Sequence, residues 1–155
     1  ELFAKSDIIS LHCPLTDENY HFINQGSIAQ MKNGVIIINT SRGALIDAEA
    51  LLDGIKTKKV GAACLDVYEE ESDLFFDDKS GHILQDDILA RLLSMPNVIV
   101  TSHQAFLTKE ALTSIAETTI DNIRKFFAGK TVENEVCYRC DYLNECKERR
   151  QKKCF

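Results

Sequence analysis

Four short apolar runs limit what this chain can fold into. They are Asp7-Ile8-Ile9-Ser10-Leu11-His12, Gly34-Val35-Ile36-Ile37-Ile38-Asn39-Thr40, Gly61-Ala62-Ala63-Cys64-Leu65-Asp66-Val67 and Asn97-Val98-Ile99-Val100-Thr101. They are rich in β-branched residues and mostly continuous rather than alternating, the pattern of strands buried on both faces of a parallel sheet. Helical patterns lie between them. One is short, Ser27 to Lys32. A second covers Ala48–Lys58, with Asp47 as its cap, an apolar side of Ala50, Leu51, Leu52 and Ile55, and Lys56, Lys58 and Lys59 at its end. A third runs from Asp86 to Ser94 and stops before Pro96. Strands alternating with helices imply right-handed crossovers and an open α/β sheet.

The pattern changes after residue 106. From Thr108 to Ala128, Ala111, Leu112, Ile115, Ala116, Thr119, Ile120, Ile123 and Phe127 recur at helical spacing, and Gly129 ends the run. No strand pattern comes after it, so this long helix reads as a link to another domain. The division expected is residues 1–106 for the sheet, 107–134 for the linking helix and the return toward that other domain, and 135–155 for a cysteine-rich tail. The polar stretch Glu69 to Gln85, with its Phe75-Phe76 pair, reads as a long functional loop. Position 1 reads as a start inside an element rather than before one.

Charge narrows the function classes. The formal net charge is −6, which argues against a nucleic-acid partner, since such proteins present a basic face. No run approaches the ~18 apolar residues of a membrane span, so no membrane partner is expected. The first residues lack the order of a signal peptide, which points to a reducing, cytoplasmic setting in which paired disulfides are rare.

In open parallel α/β sheets, ligands bind beyond the carboxyl ends of the strands. That rule selects Thr40-Ser41-Arg42-Gly43 after the second run, Asp66-Val67-Tyr68-Glu69-Glu70-Glu71 after the third, and Thr101-Ser102-His103-Gln104-Ala105 after the fourth. One sheet edge therefore gathers a guanidinium, carboxylates and an imidazole. Arginine's planar fork holds a carboxylate and polarises a neighbouring carbonyl. Histidine exchanges protons near neutral pH, and a carboxylate beside it raises its pKa. The set suits reduction of a 2-keto acid, in which a hydride reaches carbon and a proton reaches oxygen. Taken singly, each residue is more often a surface charge, a polar surface or capping histidine, or a solvated acidic run; their convergence at one edge favours the chemical reading.

Three segments resemble a known family in order and spacing. They are Ser41-Arg42-Gly43-Ala44-Leu45-Ile46-Asp47, Leu65-Asp66-Val67-Tyr68-Glu69-Glu70-Glu71 and Ser102-His103-Gln104-Ala105-Phe106, with Leu11-His12-Cys13-Pro14-Leu15-Thr16 upstream. They resemble the D-isomer-specific 2-hydroxyacid dehydrogenases, over residue 1 to about Lys130. The loop Asp73-Leu74-Phe75-Phe76-Asp77-Asp78-Lys79 and the run His103-Gln104-Ala105-Phe106-Leu107-Thr108 look most like the fermentative D-lactate branch.

The resemblance implies the C-terminal half of a Rossmann-like NAD-binding domain, then a helix returning to a flavodoxin-like substrate domain. By motif, Arg42 would bind the substrate carboxylate. His103 would protonate the carbonyl oxygen, and Glu71 would keep His103 protonated. Asp66 would contact the nicotinamide end of NAD. His12, Cys13, Pro14, Asn19, Thr40 and Ser41 would line the cofactor groove, largely through backbone groups. The reaction implied is NADH-dependent reduction of pyruvate to D-lactate by a homo-oligomer, a dimer, of the complete protein. Phenylpyruvate or hydroxypyruvate is an alternative substrate, and a non-catalytic dinucleotide-sensing module on the same fold is an alternative role. No Gly-x-Gly-x-x-Gly occurs in these residues, so the phosphate loop and the residue separating NAD from NADP are expected elsewhere. By itself this chain is expected to bind NAD weakly or not at all and to be inactive.

The tail departs from the family. From Cys137 to Phe155 six basic and three acidic residues leave it at +3 and the remainder at −9. Cys137, Cys140, Cys146 and Cys154 offer four thiolates, enough for a tetrahedral zinc or an iron–sulfur cluster. A basic, partly disordered extension with reduced cysteines is the other reading. His21 and His82 read as ordinary polar residues.

Overall fold

The computed structural model describes residues 1–70 and 85–134. The four apolar runs become strands β1 (Ile8–Leu11), β2 (Val35–Asn39), β3 (Val60–Leu65) and β4 (Val98–Val100). They form one sheet in the order β1-β2-β3-β4, and every neighbouring pair is parallel. Among the described residues five α-helices accompany them: α1 (Leu2–Lys5), α2 (Gln25–Ala29), α3 (Ala48–Lys56), α4 (Asp87–Leu93) and α5 (Lys109–Phe127). Parallel neighbours demand a crossover between strands, and α2, α3 and α4 lie within the three crossovers. The chain divides into two compact units, Glu1–Phe106 and a second beginning at Leu107.

The core explains why these segments hold together. Ile9, Leu11, Val35, Ile37, Val60, Ala63 and Leu65 of the strands pack with Ile28, Leu51, Leu52, Ile55, Leu89 and Leu92 of α2, α3 and α4. Each of the Val, Leu and Ile side chains contributes about 1.5–3 kcal/mol when fully buried. The two-faced burial expected of the strands is met on one face only among the described residues. β1 alternates exposed and buried, β2 alternates buried and half-buried, and Ile8 and Ile99 on the outer strands are 57% and 62% exposed. The described helices supply apolar cover to the Ile9–Ile37–Leu65 side, and the residues between those positions face outward.

Helix ends obey capping chemistry rather than periodicity alone. Asp47 accepts a hydrogen bond from the Ala50 amide at 3.0 Å, and Asp86 accepts one from Leu89 at 2.8 Å. Thr108 does the same for Ala111 at 3.1 Å. The second crossover helix stops two residues earlier than its pattern suggests, because Lys58 turns left-handed (φ 61°) to enter β3. The first starts two residues earlier than expected, because Asn24 and Ser27 form a reciprocal cap. At the start of β3 the register slips. Val35 faces Val60 and Ile36 faces Ala62, which leaves Gly61 as the extra residue of a bulge. A Cβ at Gly61 would stand 2.6 Å from the carbonyl oxygen of Gly34, so only glycine fits.

In the second unit α5 has no buried residue, and Leu112, Ile115, Ile120 and Ile123 stand about half exposed. Gly129 ends it in the left-handed region (φ 65°). No described helix is long and apolar enough to cross a membrane.

Candidate active site

Because the strands are parallel and adjacent, all four end on one edge, and the chain leaves that edge four times. The exits are Leu11 to Pro14, Asn39 to Arg42, Leu65 to Glu70 and Val100 to Ala105. Backbone bonds continue the ladder beyond the strands. The Asp66 amide donates to the Asn39 carbonyl at 2.9 Å, Thr101 to Leu65 at 2.8 Å, and His103 to the Asp66 carbonyl at 2.9 Å. Three of the four exits are therefore fixed side by side.

Asp66 organises the last exit. Its side chain is 7% exposed. Oδ1 accepts from the Thr101 hydroxyl and, at 2.7 Å, from the Gln104 amide; Oδ2 accepts from the Ala105 amide at 2.9 Å. Burial alone would raise its pKa, but these hydrogen bonds outweigh it, with help from nearby His103, and hold the carboxyl below its usual value. The loop it clamps carries His103 in the left-handed region (φ 49°), with its Nε2 atom enclosed. A carboxylate that satisfies two successive backbone amides forces a tight turn, and that turn aims the imidazole.

The depressed pKa makes the clamp pH-dependent with a definite sign. A depressed carboxyl pKa contributes stability above the unfolded-state value, near pH ~4, and the contribution is lost as pH falls through the folded-state value. Asp66→Asn should cost about 2–3 kcal/mol at pH 7, since an amide accepts fewer hydrogen bonds and sets a donor against a donor. The cost should shrink as the pH falls below ~4. Urea unfolding of both proteins at pH 7 and pH 3.5 reads this. An equal difference at the two values would remove the carboxylate from the clamp.

Arg42 stands on the second exit and is exposed, with its Nη1 donating to the Ser41 carbonyl at 2.8 Å. Its backbone is better fixed than its side chain. Asn39 is 1% exposed, donates to the Arg42 carbonyl at 2.9 Å and accepts from the Ser41 amide at 3.0 Å. Gly43 comes next, at the start of a tight 3-10 turn, Gly43–Leu45. A Cβ there would fall 2.0 Å from the carbonyl oxygen of Tyr68 and 2.5 Å from the Glu69 amide nitrogen. The second and third exits thus touch backbone to backbone, which any side chain at position 43 forbids.

The first exit is tied to the second. The Ser41 hydroxyl donates to the Cys13 carbonyl. Asn19 staples the turn beyond Pro14, donating to the Pro14 carbonyl at 2.7 Å and accepting from the Thr16 amide at 2.8 Å. His12 and Ser10 hydrogen-bond through their side chains at 2.8 Å, and both are exposed, as are Pro14 and Thr40. Cys13 and Cys64 are free thiols.

One further cluster forms around His21, which reads in the sequence as an ordinary polar residue. Its Nε2 pairs closely with Oε1 of Glu69, and its Nδ1 lies 4.0 Å from Oδ2 of Asp47. The Tyr20 hydroxyl donates to the same Glu69 oxygen at 3.1 Å. No periodicity signals this group, because Glu69 is one of three adjacent glutamates and 48 residues separate it from His21. Beside it Tyr68 is buried, and burial together with a hydrogen bond to Asp86 pushes its phenol pKa up. That bond ties the third exit to the cap of α4. Glu71, Cys137, Cys140, Cys146 and Cys154 lie outside the described residues. Among the described residues no group of three or more His, Cys, Asp or Glu side chains could hold a metal ion.

The second and fourth exits of one rim thus carry a guanidinium, Arg42, and an imidazole, His103, groups whose general chemistry is anion binding and proton transfer. The diphosphate of a dinucleotide needs a glycine-rich turn, and these residues contain none.

Comparison with known proteins agrees with this division. Residues 1–105 match the family model described as D-isomer specific 2-hydroxyacid dehydrogenase, NAD binding domain. The chain is 56% identical over 135 residues to a D-lactate dehydrogenase of Escherichia coli K12, covering 87% of this chain and 41% of that protein. It is 50% identical over 138 residues to an aromatic 2-oxoacid reductase of Clostridium sporogenes, covering 88% of this chain and 42% of the relative. Among solved structures, the pyruvate reductase of Chlamydomonas reinhardtii superposes with a TM-score of 0.76 at 46% identity, over 86% of this chain and 41% of that one. The chain therefore spans about two fifths of the length of the relatives it matches.

Proposed function

The chain belongs to the D-isomer specific 2-hydroxyacid dehydrogenases, carrying part of their NAD-binding domain, and we propose that the complete protein reduces pyruvate to D-lactate with NADH. The supporting observation is the backbone ladder Asn39–Asp66–His103, which holds the loop of Arg42 and the loop of His103 on either side of the β3 exit at one sheet edge. The cofactor of this domain family, in its reduced form NADH, would supply the hydride and leave as NAD⁺. The chain's own residues do the rest. Arg42 holds the substrate carboxylate with its planar fork and orients the adjacent carbonyl. His103 donates its proton to the carbonyl oxygen as that oxygen gains charge. Glu71, which lies outside the described residues, is the carboxylate assigned to orient the His103 ring. Asp66 fixes the loop on which His103 stands. Cys13, Thr40 and Ser41 wall the groove, chiefly through backbone groups, and His12, Pro14 and Asn19 shape its rim. We place this activity in the cytoplasm, in keeping with the two free thiols of the sheet unit.

The test is NADH oxidation by the complete protein over a panel of pyruvate, phenylpyruvate and hydroxypyruvate, with the product resolved on a chiral column. Pyruvate should give the highest kcat/KM and the D-enantiomer. The similarity to an aromatic 2-oxoacid reductase favours one second reading, in which phenylpyruvate is the better substrate. A protein that binds NADH and turns over none of the three is a sensor rather than a reductase.

Arg42→Lys should raise the KM for the 2-keto acid about 10- to 100-fold, the equivalent of one charge-assisted hydrogen bond, and change kcat less. An ammonium supplies the charge but not the fork. Steady-state kinetics read the difference, and an unchanged KM would take Arg42 out of substrate binding.

A further inference from the structure

The cluster around His21 has no part in the chemistry just described, yet it ties the turn after Arg42 to the exit of β3 and to the start of α3. We propose that His21 and Glu69 form a positioning bracket that holds the Arg42 turn against the third strand exit. The inference rests on the reading of Arg42 as the substrate-carboxylate site.

The bracket is built from both backbone and side chain. His21 adopts the left-handed region (φ 51°), unusual for a residue with a Cβ and maintained only where surroundings demand it. That conformation lets its amide donate to the Ala44 carbonyl at 2.9 Å, inside the Gly43–Leu45 turn. Two residues on, Ile23 continues the contact. Its amide donates to Leu45, its carbonyl accepts from Asp47, and Ile23 and Ile46 form a parallel bridge. One side of the Arg42 turn is thus lined by residues 21–23.

The other side is lined by Tyr68 and Glu69, against which Gly43 fits with no room for a Cβ. The His21 imidazole connects the two sides. Nε2 pairs with Glu69, and Nδ1 faces Asp47, the cap of α3. Glu69 adds bonds from the Tyr20 hydroxyl and, at 3.4 Å, from the Ala48 amide at the start of α3. The Tyr20 ring lies on the His21 ring at 4.0 Å and 20°. His21, Asp47 and Glu69 side chains are 27%, 32% and 18% exposed, so the group is partly shielded from solvent and better paired than a surface ion pair.

The consequence is positional. Arg42 directly precedes the bracketed turn, so a shift of the turn moves the guanidinium relative to the rim. Displacements of about 1 Å suffice to cost an enzyme large factors in rate or binding.

The test uses the complete protein with His21→Phe, which keeps the stacked ring and removes both nitrogens, with Glu69→Gln, and with the double variant. Each single variant should raise the KM for the 2-keto acid about tenfold, leave kcat within a factor of ~2, and leave NADH affinity unchanged. The double variant should be no worse than the singles, as expected for one shared interaction. Amides of Ile46 and Asp47 should exchange with solvent about tenfold faster in all three. Unchanged KM and unchanged exchange in Glu69→Gln, the milder substitution, would overturn the bracket. So would parallel losses in kcat, KM and NADH affinity, which mark general unfolding instead. Should the unaltered protein reduce no 2-keto acid, the reading of Arg42 fails, while the exchange rates still judge the bracket.

Discussion

Replacing His103 with glutamine in the complete protein should lower kcat by about 10²-fold or more, with a smaller change in KM. A positioned general acid contributes roughly 10²- to 10⁴-fold, and glutamine has no proton to give near neutral pH. The loop itself should survive. Its hold on the sheet comes from the His103 amide bonded to the Asp66 carbonyl and from the Asp66 carboxylate bonded to Thr101, Gln104 and Ala105. None of these involves the imidazole. The left-handed backbone at position 103 (φ 49°) is the complication, since glutamine tolerates it less well than asparagine. His103→Asn is therefore the paired variant. Equal loss of turnover in both, with thermal midpoints near that of the unaltered protein, assigns the loss to the missing proton. Near-normal turnover in either variant would refute the role of His103.

Gly43→Ala should cost about 3 kcal/mol of folding stability, the upper part of the range for forced overpacking. The new methyl would meet the Tyr68 carbonyl at 2.0 Å and the Glu69 amide nitrogen at 2.5 Å. These are backbone atoms on the exit of β3, and they cannot rotate away as a side chain could. Either the β3 exit or the Arg42 turn has to move, and both belong to the rim. The contrast is Gly26→Ala, whose methyl meets only the Asn24 side-chain oxygen at 3.3 Å and should change stability by about 1 kcal/mol or less. Urea unfolding of the two variants tests the pair. A Gly43→Ala protein as stable as the Gly26→Ala protein would show that the exits do not touch.

The order of strands and helices was legible because it is written locally. Four apolar runs, the caps Asp47, Asp86 and Thr108, and the terminating Gly129 all act within a few residues of themselves. Helix ends misled where a backbone turn overrides periodicity, as Lys58 does by leaving the helix early. Burial on both sheet faces was misjudged for a different reason. A continuous apolar run says that both faces avoid water, not that the residues covering them lie in the same stretch of chain.

The site was legible at the level of its edge. Parallel order alone assigns Arg42, the segment after Leu65 and His103 to the same end of the sheet, and the described residues 66–70 leave from that end. What could not be read is how each polar side chain is used. Asp66 looks like a residue facing outward to a ligand, and its carboxylate is turned to the loop of His103. Glu69 reads as one residue of a solvated acidic run, and it gathers Tyr20, His21 and the Ala48 amide. These choices depend on contacts across 21 to 49 positions of sequence, which no spacing rule encodes.

A crystal structure of the complete protein with NADH and oxamate, a pyruvate isostere that is not reduced, reads the proposed chemistry in one view. The oxamate carboxylate should lie on the Arg42 guanidinium through two parallel hydrogen bonds. Its amide carbonyl oxygen, which stands where the pyruvate keto oxygen would, should lie within hydrogen-bond distance of the His103 imidazole, with Glu71 on the other ring nitrogen. Oxamate held by other residues, with Arg42 and His103 turned to solvent, would contradict the assignment.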